Sequence, residues 1–441
     1  MRLQSRMAIL FLCAIFTLFS LDGNCSLGAE KPEPPGWFTG DPHVHRGILC
    51  QRDQAHTMLS PQELLEGMRA HDLDVISVLG DIGNGEVKFA KEDLILINGK
   101  DHPASAPGRI LHWDAEWHFD PEGVTFPEKA IKGHLIVLGL QRGQRIFSEY
   151  TYPIFKWARR QNAVAGFAHM QYLTDELPGS LNCCLPLEFP VEAALGGPLF
   201  LMEDVDGGDY AMQAYYRLLN CGFRPGIAAG TDYPCNNLKP FGSLLTYVEI
   251  RDKKLSYRRW IEGLVEGRSV VSRNGHDEFL ELRVNGTASP GDEVKPSKGG
   301  KVQVEVRWTS KRQLSGKMDL VRNGVVVETR EGMAAPGAPM VLETTQLFKQ
   351  SGWLCARRMG EGGHQTHTAA VFVTVGKAPA RASASDAQYF VRFIDHLIQQ
   401  TSAGGAWSKY FSRDRKAVQD RYRRARAVYA RIAREADRVQ P

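Results

Sequence analysis

Gly40-Asp41-Pro42-His43-Val44-His45 is the stretch on which the reading of this chain turns. Side chains of an extended segment alternate between its two faces, so His43 and His45 offer two imidazoles to the same side. Neutral imidazole and carboxylate are what zinc, manganese or iron take from proteins. Four further residues of this type, Glu116, His134, His169 and Asp232, each lie at the end of an apolar, strand-like run. Loops at strand ends are where α/β barrels assemble their sites. One His-x-His pair is weak evidence, but the joint pattern predicts a metal centre in such a barrel.

Outward from this stretch, strand-like and helix-like segments alternate to about residue 277. Strands are expected at Leu73 to Leu79, His134 to Leu140, Val164 to Met170, Leu199 to Val205, Pro225 to Thr231 and Leu244 to Ile250. Helices are expected at Pro153 to Gln161, Tyr210 to Asn220 and Ser256 to Glu266, and Ser60-Pro61-Gln62-Glu63 carries a capping box that opens another. The alternation predicts a mainly parallel sheet over residues 30–277, a closed or distorted barrel, with an open doubly wound sheet as the competing architecture. Residues 278–376 change texture: alternating apolar runs between Gly, Pro and Asn turns predict a β-sandwich domain. Residues 377–441 read as a linker followed by a helical tail. There Val418, Tyr422, Ala425, Tyr429 and Ile432 recur at helical spacing, a docked face with the basic residues solvated.

Taken singly, the site residues have ordinary readings. His112-Trp113-Asp114-Ala115-Glu116-Trp117-His118-Phe119 alternates without a break, placing His112, Asp114, Glu116 and His118 on one face. That face is costly to bury unless it meets metals or counter-charges, and a solvent-facing edge strand is the alternative. His134 and His169, each beside apolar residues, also fit hydrogen-bonded core histidines, and Asp232 after Gly230-Thr231 fits a turn. Arg46 reads as a surface arginine, with an anionic substrate group as its alternative partner. His364 and His367, far along the chain in a glycine-rich loop, read as structural or incidental.

The 441 residues are 43% hydrophobic and 24% charged, enough for a large core and a smaller second domain. Residues 1–29 read as a secretory signal peptide. Arg2 and Arg6 precede an uncharged run from Met7 to Leu21, too short for a comfortable membrane span, and small residues follow to Ala29. An uncleaved anchor is the alternative; after signal removal no stable membrane insertion is expected, and the protein is expected to be periplasmic or extracellular. Six cysteines then remain, whose pairing cannot be read from sequence, and no Cys-x-x-Cys pair indicates a structural zinc knuckle. A net charge of +4 is too small to argue for nucleic acid. The oligomeric state is left open.

His43-x-His45, Leu73-Asp74-Val75-Ile76-Ser77-Val78, Glu116, Gly133-His134, His169 and Gly230-Thr231-Asp232, in this order, resemble the polymerase-and-histidinol-phosphatase (PHP) superfamily of metallohydrolases. Trp260 to Gly275, Val284-Asn285-Gly286 and His367-Thr368 extend the resemblance to its carbaryl-hydrolase-like branch, the CehA/McbA family. The resemblance implies a distorted barrel with two divalent metal ions, zinc, manganese or iron. His43, His45, Glu116 and Asp232 would hold one, and Glu116 would bridge to a second on His134 and His169. Two departures are present: Leu79-Gly80-Asp81 stands where an Asp-His is usual, and Asp232-Tyr233-Pro234 where an Asp-x-His is usual. They imply that the superfamily's third metal site is absent or weak. The expected chemistry is hydrolysis of a small-molecule phosphoester, carboxyl ester or carbamate by a water shared between the metals. Asp81 is the first candidate to orient that water or shuttle a proton, with Asp232 and then His118 behind it, and Asp41 steadies a liganding histidine. The competing function is a secreted binding protein with a degenerate barrel that recognises a glycan or a protein.

Overall fold

A computed structural model of the chain describes residues 31–47, 58–83, 90–119, 133–170, 177–178, 185–203, 209–235, 240–297 and 300–439. The signal-like segment 1–29 and Cys50, Cys183 and Cys184 lie outside the described residues. Among the described residues, nine strands build the first part of the fold: β1 (Trp37–Val44), β2 (Val75–Asp81), β3 (Ile110–Trp117), β4 (Leu135–Leu138), β5 (Val164–Phe167), β6 (Leu199–Glu203), β7 (Gly226–Ala229), β8 (Leu245–Glu249) and β9 (Ser269–Ser272). Six helices lie between them: α1 (Pro61–Ala70), α2 (Ala90–Leu96), α3 (Tyr152–Arg160), α4 (Phe189–Leu195), α5 (Tyr210–Asn220) and α6 (Tyr257–Val265). The capping box is formed: Ser60 accepts from Glu63 N while the Glu63 carboxylate accepts from Ser60 N.

The sheet order is β9-β8-β1-β2-β3-β4-β5-β6-β7. β1, β2 and β3 run parallel, as do β5, β6 and β7, but β4 is antiparallel to both of its neighbours, and β8 and β9 are antiparallel too. The mainly parallel expectation therefore gives way to a mixed sheet. The reversal of β4 has a use. Its first residues pair with the last residues of β3 and β5, Leu135 facing Trp117 and Phe167, so His134 joins the side chains at the C-terminal ends of the parallel strands. The main-chain ladder stops at β7 among the described residues. Hydroxyls bond its outer edge instead: Thr246 Oγ1 accepts from Ala229 N and donates to Ala229 O, both at 2.8 Å, and Ser269 Oγ donates to Ile227 O at 2.8 Å. β3 sits inside the sheet with all eight residues buried, which excludes the edge-strand reading of His112 to Phe119.

The antiparallel region follows, but its pairing does not stop at residue 277. Glu278–Val284, Lys301–Ser310 and Met340–Leu347 form a separate three-stranded sheet, whereas Gly363–Thr368 pairs with β9 and continues the first sheet into Gly352–Gly360 and Leu314–Arg322. The tail folds as α7 (Ala384–Thr401) and α8 (Arg415–Val439), which pack on each other and, through α8, on α4. Val418, Tyr422, Ala425, Tyr429 and Ile432 are all buried, each large one contributing roughly 1.5–3 kcal/mol as an upper figure. Not every basic residue of α8 is solvated: Arg421 is buried and makes a two-pronged bond to Glu192 on α4, at 2.9 and 2.6 Å. Cys221 and Cys355 are buried free thiols, and Cys235 is disulfide-bonded.

His276 ties the start of the described chain to α1's exit, with Nε2 2.6 Å from Glu33 Oε2 and Nδ1 3.1 Å from Asp72 Oδ2. Burial opposes its charge, but Asp72 and Glu33 outweigh burial and raise its pKa. A raised histidine adds stability in full below its unfolded value, about 6.5, and loses it as pH rises through the folded value. Thermal unfolding of His276→Gln against wild type should therefore show a stability gap that is widest near pH 6 and closes as pH rises. The closing slope can reach at most about 1.4 kcal/mol per pH unit for one proton. A gap independent of pH would mean that the residue is not charged in the folded state.

Candidate metal centre

Six side chains converge at the C-terminal end of the parallel strands. His43 and His45 come from the end of β1, Glu116 from β3, His134 from the start of β4, His169 from just after β5, and Asp232 from just after β7. Among the described residues they form two groups able to hold a cation, His43, His45, Glu116 and Asp232, and Glu116, His134 and His169. Glu116 belongs to both.

In the first group Asp232 Oδ1 lies 3.1 Å from His43 Nε2 and 3.2 Å from His45 Nε2, while Glu116 Oε2 lies 3.1 Å from His45 Nε2 and Oε1 3.5 Å from His43 Nε2. Ligands at the usual zinc distances in a tetrahedron stand about 3.3 Å apart, so this group fits one cation with little adjustment. The second group is tighter on one edge: His134 Nδ1 is 2.5 Å from Glu116 Oε1 and 2.7 Å from His169 Nε2, with His169 Nε2 3.9 Å from Glu116 Oε1. Two ring nitrogens and a carboxylate oxygen around one point require a shared proton or a cation. His134 Nε2, buried, has no hydrogen-bond partner. The donor set therefore fits a pair of divalent metals.

The electrostatics lead to the same conclusion. Burial would raise the Asp232 pKa, yet His43 and His45 hold it well below the usual carboxylate range. Glu116 is likewise depressed against the effect of burial, by His134 and His43. Burial works against a charge on His45, but Asp232 and Glu116 push it up to about 9, so a proton there substitutes for a cation.

Backbone geometry is spent on the site. His169 and Asp232 have φ of 57° and 47°, a left-handed conformation costing roughly 1–3 kcal/mol per residue outside glycine. Gly230 has to be glycine, because a Cβ there would stand 2.9 Å from His43 Cβ and 3.1 Å from Asp41 Oδ1. Asp41, expected to steady a liganding histidine, does so through the main chain. It accepts from His43 N (3.2 Å), Thr231 N (3.0 Å), Thr231 Oγ1 (2.6 Å) and Gly242 N (3.0 Å), so it fixes the two ligand-bearing backbones against each other. Burial raises its pKa to about 6 despite these bonds. His45 Nδ1 faces Leu79 O at 3.1 Å, which leaves Nε2 for the site.

Asp81 and His118 lie beside the ligands as a pair. Asp81 is next to Glu116 in the β2–β3 register, its Oδ2 2.5 Å from His118 Nε2, and its Oδ1 accepts from Gly83 N at 2.7 Å. The His118 ring centre is 5.1 Å from that of His134. His112 and Asp114 share a strand with Glu116 but lie away from the ligands: His112 stacks on Tyr257, and Asp114 accepts from Tyr257 Oη and from Gly139 and Leu140 N. Arg46 is not a surface arginine. Its guanidinium is largely buried and engaged by Asp93, at 2.8 and 2.6 Å. His364, expected to be structural or incidental, is wholly buried in an ion cluster with Glu203 and Asp209 at the exit of β6. Glu203 ends an apolar run as the other ligand candidates do, which is the one signal that sequence reading had for it.

No protein-family model matches this sequence, and no curated protein matches it. Among solved structures, the chain is similar to a two-domain protein containing a predicted PHP-like metal-dependent phosphoesterase from Bacteroides vulgatus, at 13% identity and a TM-score of 0.41, covering 80% of this chain and 100% of that one. It is also similar to the CARDB domain of PF1109 from Pyrococcus furiosus, at 17% identity and a TM-score of 0.17, covering 23% of this chain and 98% of that domain. At such identities and scores the chemistry has to be argued from the residues themselves.

Proposed function

We propose that the chain is an exported hydrolase of the PHP superfamily, of its CehA/McbA-like branch, using two divalent metals to cleave an ester-type bond: phosphoester, carboxyl ester or carbamate. The observation that carries this reading is Glu116, whose two oxygens reach into two donor groups at once. A purely structural zinc site is closed and cysteine-rich, and this one is built from histidine and carboxylate alone. Bound here, two divalent cations would lower the pKa of a shared water toward neutrality and polarise the oxygen under attack.

The chain's own residues do the rest. His43, His45, Glu116 and Asp232 would hold one ion, and Glu116, His134 and His169 the other. Asp41 keeps the first set in register. The Asp81–His118 pair supplies proton transfer: Asp81 orients the ring through Nε2, and His118 takes or returns the proton. This reverses the order expected from sequence, in which Asp81 came first. Export is supported by the basic, apolar and small-residue order of residues 1–29 and by the disulfide at Cys235, since such bonds persist in oxidising compartments. No helix among the described residues is long and apolar enough to cross a membrane.

The test is metal content per chain for protein from the exported fraction, wild type and His169→Ala, beside hydrolysis of generic phosphoester and carboxyl-ester substrates. The expected result is about two equivalents of zinc, manganese or iron in wild type, with the equivalent of the second group and the activity lost together in the variant. Wild type that binds no metal after reconstitution would sink the mechanism and leave a binding protein as the better reading.

A further inference from the structure

His364 belongs to the antiparallel region, yet its ring sits between two carboxylates at the exit of β6, in the first part of the fold. Nε2 is 2.9 Å from Glu203 Oε1 and Nδ1 is 2.7 Å from Asp209 Oδ1, which also accepts from His364 N at 3.1 Å. An imidazole that donates from both nitrogens carries a charge. Arg273, just after β9, completes the cluster. It grips Glu203 with Nη2 at 2.7 Å and Nε at 3.3 Å, donates from Nη1 to His364 O at 3.1 Å, and donates from its main-chain N to Gln365 O at 2.8 Å. Two cations thus face two carboxylates. Glu203, His364 and Arg273 are buried, so removing one member strands the others without water.

The place of Glu203 gives the cluster a functional meaning. It is the last residue of β6, paired with Ala229 of β7, and its carbonyl accepts from Gly230 N at 3.0 Å. Gly230 runs so close to His43 that a Cβ on it would stand 2.9 Å from His43 Cβ, and two residues later Asp232 holds its left-handed φ. A strained backbone persists only where its surroundings over-determine it. From β7's partner strand, the buried end of β6 supplies part of that constraint. Resting on the metal-centre reading, we infer that His364 and Glu203 are positioning residues for the metal site containing Asp232. The antiparallel region is thereby a working part of the metal centre and not an appended module.

The test titrates zinc into the metal-free full-length protein by calorimetry, for wild type, His364→Ala, Glu203→Gln and Arg421→Gln. The last cuts a buried two-pronged ion pair of similar kind between α4 and α8. The expected result is that His364→Ala and Glu203→Gln each weaken one of the two equivalents by about ten- to a hundredfold, as outer-shell substitutions do, and leave the other unchanged. Arg421→Gln should lower the melting temperature with both affinities intact. Should His364→Ala fail to fold, His364→Gln keeps the volume and can reach only one of the two carboxylates, so the same comparison holds. Two wild-type equivalents with unchanged affinities in the His364 and Glu203 variants would overturn this inference alone. Wild type that binds no zinc would overturn the metal-centre reading and this one with it.

Discussion

Glu116→Gln is expected to remove both metals together and to lower hydrolysis by about a thousandfold or more, the largest effect of any single substitution in the chain. The geometry requires this. Glu116 Oε2 meets His45 while Oε1 lies nearest His134, and no other side chain among the described residues belongs to both groups. An amide is neutral and turns one oxygen into a donor, which faces imidazoles that must themselves act as neutral ligands. His169→Ala touches only the second group and should spare part of the metal when measured at excess ion. Metal content for the two variants, read by elemental analysis after equal reconstitution, checks the contrast. If Glu116→Gln kept one full equivalent, the carboxylate would serve a single ion, and the two groups would be alternatives for one cation instead of a pair.

How much of this centre could be read in the sequence depends on the distance over which each feature acts. His43 and His45 are legible because a two-residue spacing fixes a shared face in any strand. His169 and Asp232 are legible because each follows an apolar run where a strand ends, His134 because it opens one and Glu116 because it lies in an unbroken polar–apolar alternation, and the structure brings all four to one end of the sheet. The direction of β4 is not legible, because apolar periodicity is the same in a strand read either way. Nor is the hub at Asp41, whose partners Thr231 and Gly242 lie 190 and 201 residues away. The His364 cluster is hidden for the same reason, Glu203 being 161 residues from it. The β-sandwich expectation caught the alternation of residues 278–376 but not the ladder from β9 into Gly363–Thr368, which makes the two regions share one sheet. The burial of Arg46 is not legible either, because nothing local announces Asp93, the buried carboxylate that engages it.

The second large effect separates proton transfer from metal binding. His118→Gln is expected to lower kcat by about 10²–10⁴-fold, the usual range for a positioned general acid or base, with both metals retained. Asp81→Asn should also cost activity with metal content unchanged, because an amide at Oδ2 can present a donor to His118 Nε2 and so favours the wrong tautomer. If the two act as one unit, the double variant loses no more than the worse single one, since residues of a unit are grossly non-additive. The competing role for Asp81 is that of a metal ligand, since its carboxylate stands beside Glu116 in the β2–β3 register. That role predicts a different pattern: metal lost in Asp81→Asn, retained in His118→Gln, and effects that multiply. Metal content and kcat for the three variants decide between the roles, and a variant pair in which only Asp81→Asn lost metal would end the proton-transfer assignment of Asp81.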